Sequence, residues 1–276
     1  TTHMENWDNL DSRGNVEDRR SFGPAALGGG LGVAGVIVVA AIQLLGGGDV
    51  LDVLSRVDLS QLQPPTVSET GEFAGQDSYE VFASTVLGSN NDLWSSVFAA
   101  NNQTYQAPKL VLFRGVTQSA CGGATSEVGP HYCPLDSTIY LDETFFDELR
   151  TRFAAKGGDV AEAYVIAHEV GHHVQNLRGT IDNARDNESS IKTELQADCF
   201  AGMWAHSIRD RNVFEPGEIA EAMDAAAAVG DDRIQKTTTG RVHPETWTHG
   251  SSAERVRWFT RGFETGSIAN CNTFAE

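Results

Sequence analysis

The stretch Ala167-His168-Glu169-Val170-Gly171-His172-His173-Val174-Gln175 decides how the rest of the chain is read. His168 and His172 are four residues apart, so on an α-helix their rings stand on one face, one turn apart, where two nitrogens can share a metal ion. Glu169 follows the first histidine directly, within reach of a water held by that ion. Ala161, Ala163, Tyr164, Val165 and Ile166 lead in with helical apolar spacing, and Gly171 suits a helix packed closely against a neighbour. Such a helix is expected to be capped by Asp159, to run to about Leu177, and to give way to a polar loop over 178–187.

His-Glu-x-x-His is the pattern of zinc hydrolases, with two ligands and a general base on one helix. A catalytic zinc takes three protein ligands and leaves one position for water. The remaining donors are His173, Glu194, Asp198, His206, His243 and His249. His173 is rotated about 100° from His172 and points away, toward packing or a hydrogen bond. The longer metzincin pattern fails, because it needs glycine where Gln175 stands and histidine where Arg178 stands. The next helix, from Ser189 or Ser190 to about Ser207, carries Glu194 and Asp198 four apart among Ala197, Phe200 and Ala201. Carboxylates in apolar surroundings are costly unless paired or metal-bound. Glu194 therefore reads as the third ligand. Asp198, one turn on, reads as the acceptor that fixes the tautomer of His168.

These residues resemble the gluzincin arrangement and, more narrowly, the bacterial neutral zinc metallopeptidases of the YpfJ-like type. Further matching stretches are Asn15-Val16-Glu17-Asp18-Arg19-Arg20, the glycine-rich apolar span, Gly129-Pro130-His131-Tyr132-Cys133-Pro134, Thr248-His249-Gly250-Ser251-Ser252 and Arg255-Val256-Arg257-Trp258-Phe259. The resemblance covers nearly the whole chain. It implies a zincin-like α+β fold, mostly helical with a small sheet, one zinc ion per chain, and a membrane-anchored catalytic domain.

The expected reaction is hydrolysis of a peptide bond in a protein or peptide substrate, of endopeptidase type, with Glu169 as general base. His249, at a loop-to-helix corner, is the candidate donor to the oxyanion, with His243 and Tyr132 as rivals. Residues 129–141 are expected to supply an edge strand for an extended substrate. Two other readings are weighed: a membrane-tethered interaction domain stapled by zinc, and a zinc amidase acting on cell-wall peptides. The first would need a fourth ligand, and no clear one stands out.

Composition narrows the partners. With 276 residues, 40% of them hydrophobic, the chain can build one good core plus extra segments. Its net charge of −18 argues against nucleic acid and against anionic lipid surfaces. No C-x-x-C pair occurs among Cys121, Cys133, Cys199 and Cys271. Their even number fits two disulfides in an oxidising compartment. Four cysteines allow three connectivities; Cys121–Cys133 and Cys199–Cys271 are the pairs expected.

Outward from the metal helix the chain divides further. Residues 1–20 read as a cloning remnant followed by a polar cytoplasmic tail. No charged residue occurs between Arg20 and Asp49, and residues 25–45 are mostly apolar. At 1.5 Å per residue that run spans about 30 Å, so residues 21–48 are expected to form one transmembrane helix. Arg13, Arg19 and Arg20 before it put the N-terminus in the cytoplasm and the catalytic domain outside. Residues 49–76 read as a linker and 77–276 as the folded domain. Within that domain, strands are expected at 109–113 and 138–141. Helices are expected at 79–87 and 93–100 with a break at Asn90-Asn91-Asp92, then at 142–156, from Pro216 to Val229, and from a Ser251–Glu254 capping box to about Phe263.

Overall fold

The computed structural model describes residues 5–11, 13–20, 77–153, 155–181 and 186–275. In chain order these form β1 (Asn15–Asp18), α1 (Ser78–Ala100), β2 (Lys109–Phe113), β3 (Val116–Ser119), β4 (Gly122–Thr125), β5 (His131–Cys133), β6 (Thr138–Asp142), α2 (Phe145–Arg152), α3 (Asp159–Leu177), α4 (Asn187–Ile208), α5 (Ile219–Ala228), α6 (Asp231–Thr239) and α7 (Ser252–Thr265). The architecture is α+β, mostly helical with a small sheet. Among the described residues no helix is long and apolar enough to cross a membrane. The expected span at 21–48 and the linker at 49–76 lie outside the described residues.

The main sheet has the order β1-β2-β6-β5. β1 and β6 flank β2 in parallel, and β5 closes the sheet as an antiparallel edge strand. Alternation along β2 builds two cores at once. Leu110 and Leu112 face the helices and join the large core, whereas Val111 and Phe113 turn to the other face and pack with Ala124, Cys133 and Tyr140. The β3–β4 hairpin carries Ala124 over that second face, and the Cys121–Cys133 disulfide ties its turn to β5. Neither strand of this hairpin was expected from the sequence.

The folded domain begins well upstream of residue 77, which corrects the reading of residues 5–20 as a detached tail. β1 pairs with β2 from Asn15↔Lys109 to Asp18↔Leu112. Trp7 is buried, stacks on Trp204 at 6.2 Å, and donates its indole N–H to Asp159 at 2.7 Å. That bond also corrects the assigned cap, because Asp159 opens the helix from inside and Gly158 occupies the cap position. A second correction concerns α1, a single helix of 23 residues. Asn90 does not break it. Its side chain is fully buried and its amide N–H folds back to donate to Val86 O at 2.9 Å, while its amide oxygen has no partner among the described residues, so the helix runs on through a residue that competes with it in the open. The helix expected over 142–156 is shorter, Phe145–Arg152. Beyond α5 a polar helix, α6, appears where none was expected.

α3 is the spine: nearly every residue from Asp159 to Gln175 is buried. α4 crosses it where Gly171 leaves room, since a Cβ there would lie 3.0 Å from Ala197 Cα. α7 lies against α4 at backbone distance. A Cβ on Gly202 would sit 2.1 Å from Phe259 O, and one on Gly262 would sit 2.0 Å from Cys199 O. The Cys199–Cys271 disulfide fastens the chain after α7 to the middle of α4.

Candidate metal centre

His168 and His172 stand one turn apart on α3 with ring centroids 4.7 Å apart and planes at 89°. Glu194 reaches them from α4, whose start is fixed by a capping box between Asp186 and Ser189. Glu194 Oε2 lies 3.2 Å from His168 Nε2, and its Oε1 lies 3.4 Å from His172 Nε2. Metal bonds of 2.0–2.1 Å in tetrahedral array put neighbouring ligand atoms about 3.3 Å apart. Each imidazole nitrogen thus stands from a Glu194 oxygen at the spacing of two ligands on one zinc ion, and one donor atom from each of the three residues lies within 4.8 Å of the other two. Among the described residues no fourth donor joins this group.

The hydrogen bonds behind the rings set both tautomers. Asp198 Oδ1 accepts from His168 Nδ1 at 2.9 Å, so Nε2 is the nitrogen of that ring left to meet a metal ion. Gln175 does the same for His172: its Oε1 accepts from Nδ1 at 2.9 Å. The orientation of the Gln175 amide is fixed in turn, since its Nε2 donates to Thr193 O at 2.7 Å and to Gln196 Oε1 at 3.1 Å. Both Nε2 atoms therefore face Glu194, as protonated donors without a metal ion and as ligands once one displaces their protons.

Asp198 is fully buried and is the acceptor for four donors. Besides His168 it takes the Tyr164 hydroxyl at 2.6 Å and Arg255 through Nε at 2.8 Å and Nη2 at 2.9 Å. Burial raises its pKa, but the Arg255 charge and the His168 hydrogen bond outweigh that and hold it below the usual value. The field at the centre favours positive charge. Burial disfavours a charged His168, yet Asp198 and Glu194 reverse this and raise its pKa to about 10. His172 is raised as well, burial being outweighed by Glu194, and Glu194 is held well below the carboxylate range against burial by the two rings. A divalent cation fits both the spacing and the field.

Glu169 is buried, 6% exposed, and among the described residues nothing hydrogen-bonds or ion-pairs with its carboxylate. A buried carboxylate without an internal partner is costly unless water or a ligand meets it. His249 lies outside the converging group. Its Nδ1 is 3.1 Å from Asp231 Oδ1, while Asp231 Oδ2 accepts the backbone N–H of Thr248, His249 and Gly250. The adjacent Gly250 rests against Ile191 and Leu195, on the turn of α4 that carries Glu194. The other histidines are engaged elsewhere. His173 Nε2 donates to Gln106 O and its Nδ1 accepts from Tyr132, whose hydroxyl also accepts from Asn176. His206 bonds Phe263 O, and the exposed His243 pairs with Glu245. A separate acidic group, Asp18, Asp77 and Glu80, is closed by Arg20, which pairs with both aspartates.

Three partners within the centre escaped the sequence reading, Tyr164, Gln175 and Arg255, as did Asp231, which braces His249 outside it. Gln175 could have been found, since it follows His172 by three positions on the same helix. Arg255 and Asp231 gave no local sign.

Two histidines and a glutamate from consecutive helices, with a carboxylate beside the first histidine, define the class of zinc hydrolases built on a His-Glu-x-x-His helix. Residues 4–274 match the family described as "Putative neutral zinc metallopeptidase", and the chain belongs to that family. It is 41% identical to the Escherichia coli K12 protein "Uncharacterized protein YpfJ", over 98% of this chain and 99% of the relative. It is 50% identical to "Uncharacterized protein Mb2605" of Mycobacterium bovis over 62% of this chain and 64% of the relative. No solved structure matches it.

Proposed function

We propose that this protein is a zinc-dependent peptidase holding one metal ion on His168, His172 and Glu194. The observation that carries the reading is the Glu169 carboxylate, without a partner among the described residues, next to three converging metal donors. When bound, zinc would supply a water acidified toward pH 7 and a Lewis acid for the scissile carbonyl. Glu169 takes the proton of the attacking water on its carboxylate and hands it to the leaving amine. Asp198 and Gln175 keep the two imidazoles turned with Nε2 inward throughout. His249, braced at Nδ1 by Asp231, presents Nε2 as the donor to the oxyanion. The edge strand β5 offers its free side to an extended peptide.

A zinc staple in a non-catalytic domain fits less well. A structural site is closed by four protein ligands, and it gives no use to Glu169. The test is metal analysis of the purified protein, with hydrolysis of casein, short peptides and peptidoglycan fragments followed before and after chelation. One zinc per chain, chelator-sensitive peptide hydrolysis, and loss of turnover in Glu169→Gln with zinc retained are expected. Undiminished cleavage by that variant sinks the assignment of the base. Cleavage of peptidoglycan fragments alone moves the reading to an amidase.

A further inference from the structure

We propose that residues 5–20 and residues 77–276 lie on the same side of any membrane the chain meets, so that the apolar run at 25–45 does not separate them by a single crossing. The proposal is independent of the hydrolase reading. It rests on described residues at both ends of the intervening stretch. β1 is hydrogen-bonded into the sheet in a fixed register with β2. Gly14 donates its N–H to Ser84 O at 2.7 Å, accepts from the Ser84 hydroxyl at 3.0 Å, and packs directly on Leu87 of α1. Trp7 lies between Phe82, Trp204 and Phe214, with its indole N–H on Asp159. These contacts tie residues 5–20 to α1, β2, α3 and α4.

The points where the chain leaves and returns are also joined. Arg20 is buried and pairs with Asp18, with Asp77 and with Glu143, and Asp77 in turn caps α1 by accepting from Glu80 N at 2.8 Å. Arg20, just before the apolar run, therefore pairs with Asp77, the first described residue after that run and its linker. A single crossing would place Arg20 and Asp77 a bilayer core apart, about 30 Å. It would also strip β1 from β2, leaving four backbone pairs and the Trp7 pocket unfilled. The arrangement with a cytoplasmic N-terminus and an external domain, expected from the arginines before the run, is incompatible with this packing.

The test uses the full chain in cells. One short epitope is placed before Met4 and another after Glu276, and antibody access is read in intact spheroplasts and after lysis. Both epitopes reached, or both hidden until lysis, is the expected result. One reached and the other hidden overturns the proposal. A second measurement does not depend on added tags: in a chain carrying Asn15→Cys and Lys109→Cys, which face each other in the β1–β2 register, oxidant should crosslink most of the protein in cells. If the two thiols instead react with an impermeant reagent from opposite sides, the proposal is wrong.

Discussion

Replacing Arg255 by methionine should destabilise the protein more than most substitutions, and the amount can be worked out. Arg255 is 3% exposed, and its guanidinium makes two hydrogen bonds to a carboxylate that is 0% exposed. Methionine fills much of the volume but leaves Asp198 without its countercharge. Removing one member of a buried ion pair costs about 3–5 kcal/mol, chiefly through the charge left behind. Here His168 and Tyr164 still donate to Asp198, so the lower end, about 3 kcal/mol, is expected. For a domain of this size that corresponds to a fall in Tm of about 6–12 °C. The assay is urea and thermal unfolding of the metal-free protein, with Arg255→Met, Asp198→Asn and the double variant forming a cycle. Because neutralising Asp198 removes the reason for the penalty, the double variant should be more stable than the two single losses added together, by about 1.5 kcal/mol or more. A loss below about 1 kcal/mol in Arg255→Met, or a cycle that is additive within about 0.5 kcal/mol, would refute the claim that this guanidinium neutralises the buried carboxylate.

Gln175→Ala should weaken zinc binding by about 10–100-fold while leaving the zinc content at saturation unchanged, as read by competition with a chromophoric chelator, because only the brace behind His172 is lost. Glu162 predicts a pH dependence. Burial raises its pKa from 4.5 to about 7 despite Arg150 nearby, so the folded form binds the proton more tightly than the unfolded one. Stability from this group is present below pH 4.5 and lost as pH rises toward 7, by about 3 kcal/mol in all. Glu162→Gln should match the parent at pH 4.5 and exceed it at pH 7.5 in urea unfolding; equal gaps at both pH values would count against this. Removing the Cys199–Cys271 disulfide, which closes a separation of 72 residues, should cost about 4 kcal/mol on the chain-entropy model, against about 3 kcal/mol for the separation of 12 at Cys121–Cys133. The reverse order in chemical denaturation would show that native-state contacts, rather than loop length, decide.

The centre was legible where its geometry is local to a helix. Spacing of four brings His168 to His172, and spacing of four sets Glu194 and Asp198 on one face of the next helix. What could not be read depends on contacts between distant segments. β1 has only four residues, two of them acidic, and becomes a strand because β2 offers it an edge. Asn90 looked like a helix break because its side chain competes with the backbone in the open, a competition that ends when it is buried against Val86. Arg255 sits among Val256, Trp258 and Phe259 in a helix whose apolar side drew attention, and its partner Asp198 is 57 positions away.

The glycine contacts between α4 and α7 carry a mechanical consequence. Arg255 meets Asp198, Phe259 meets Gly202, and Gly266 meets His206, so the two helices run side by side in the same direction and keep step. With backbone touching backbone at Gly202 and Gly262, neither helix can slide or roll on the other without collision. A shift of one residue, about 1.5 Å, would also pull the guanidinium off its carboxylate. α4 and α7 thus form a stiff beam, with Glu194 fixed on one flank. Any movement at the centre therefore has to come from the parts packed beside that beam, such as the corner at 248–250, and not from the beam itself.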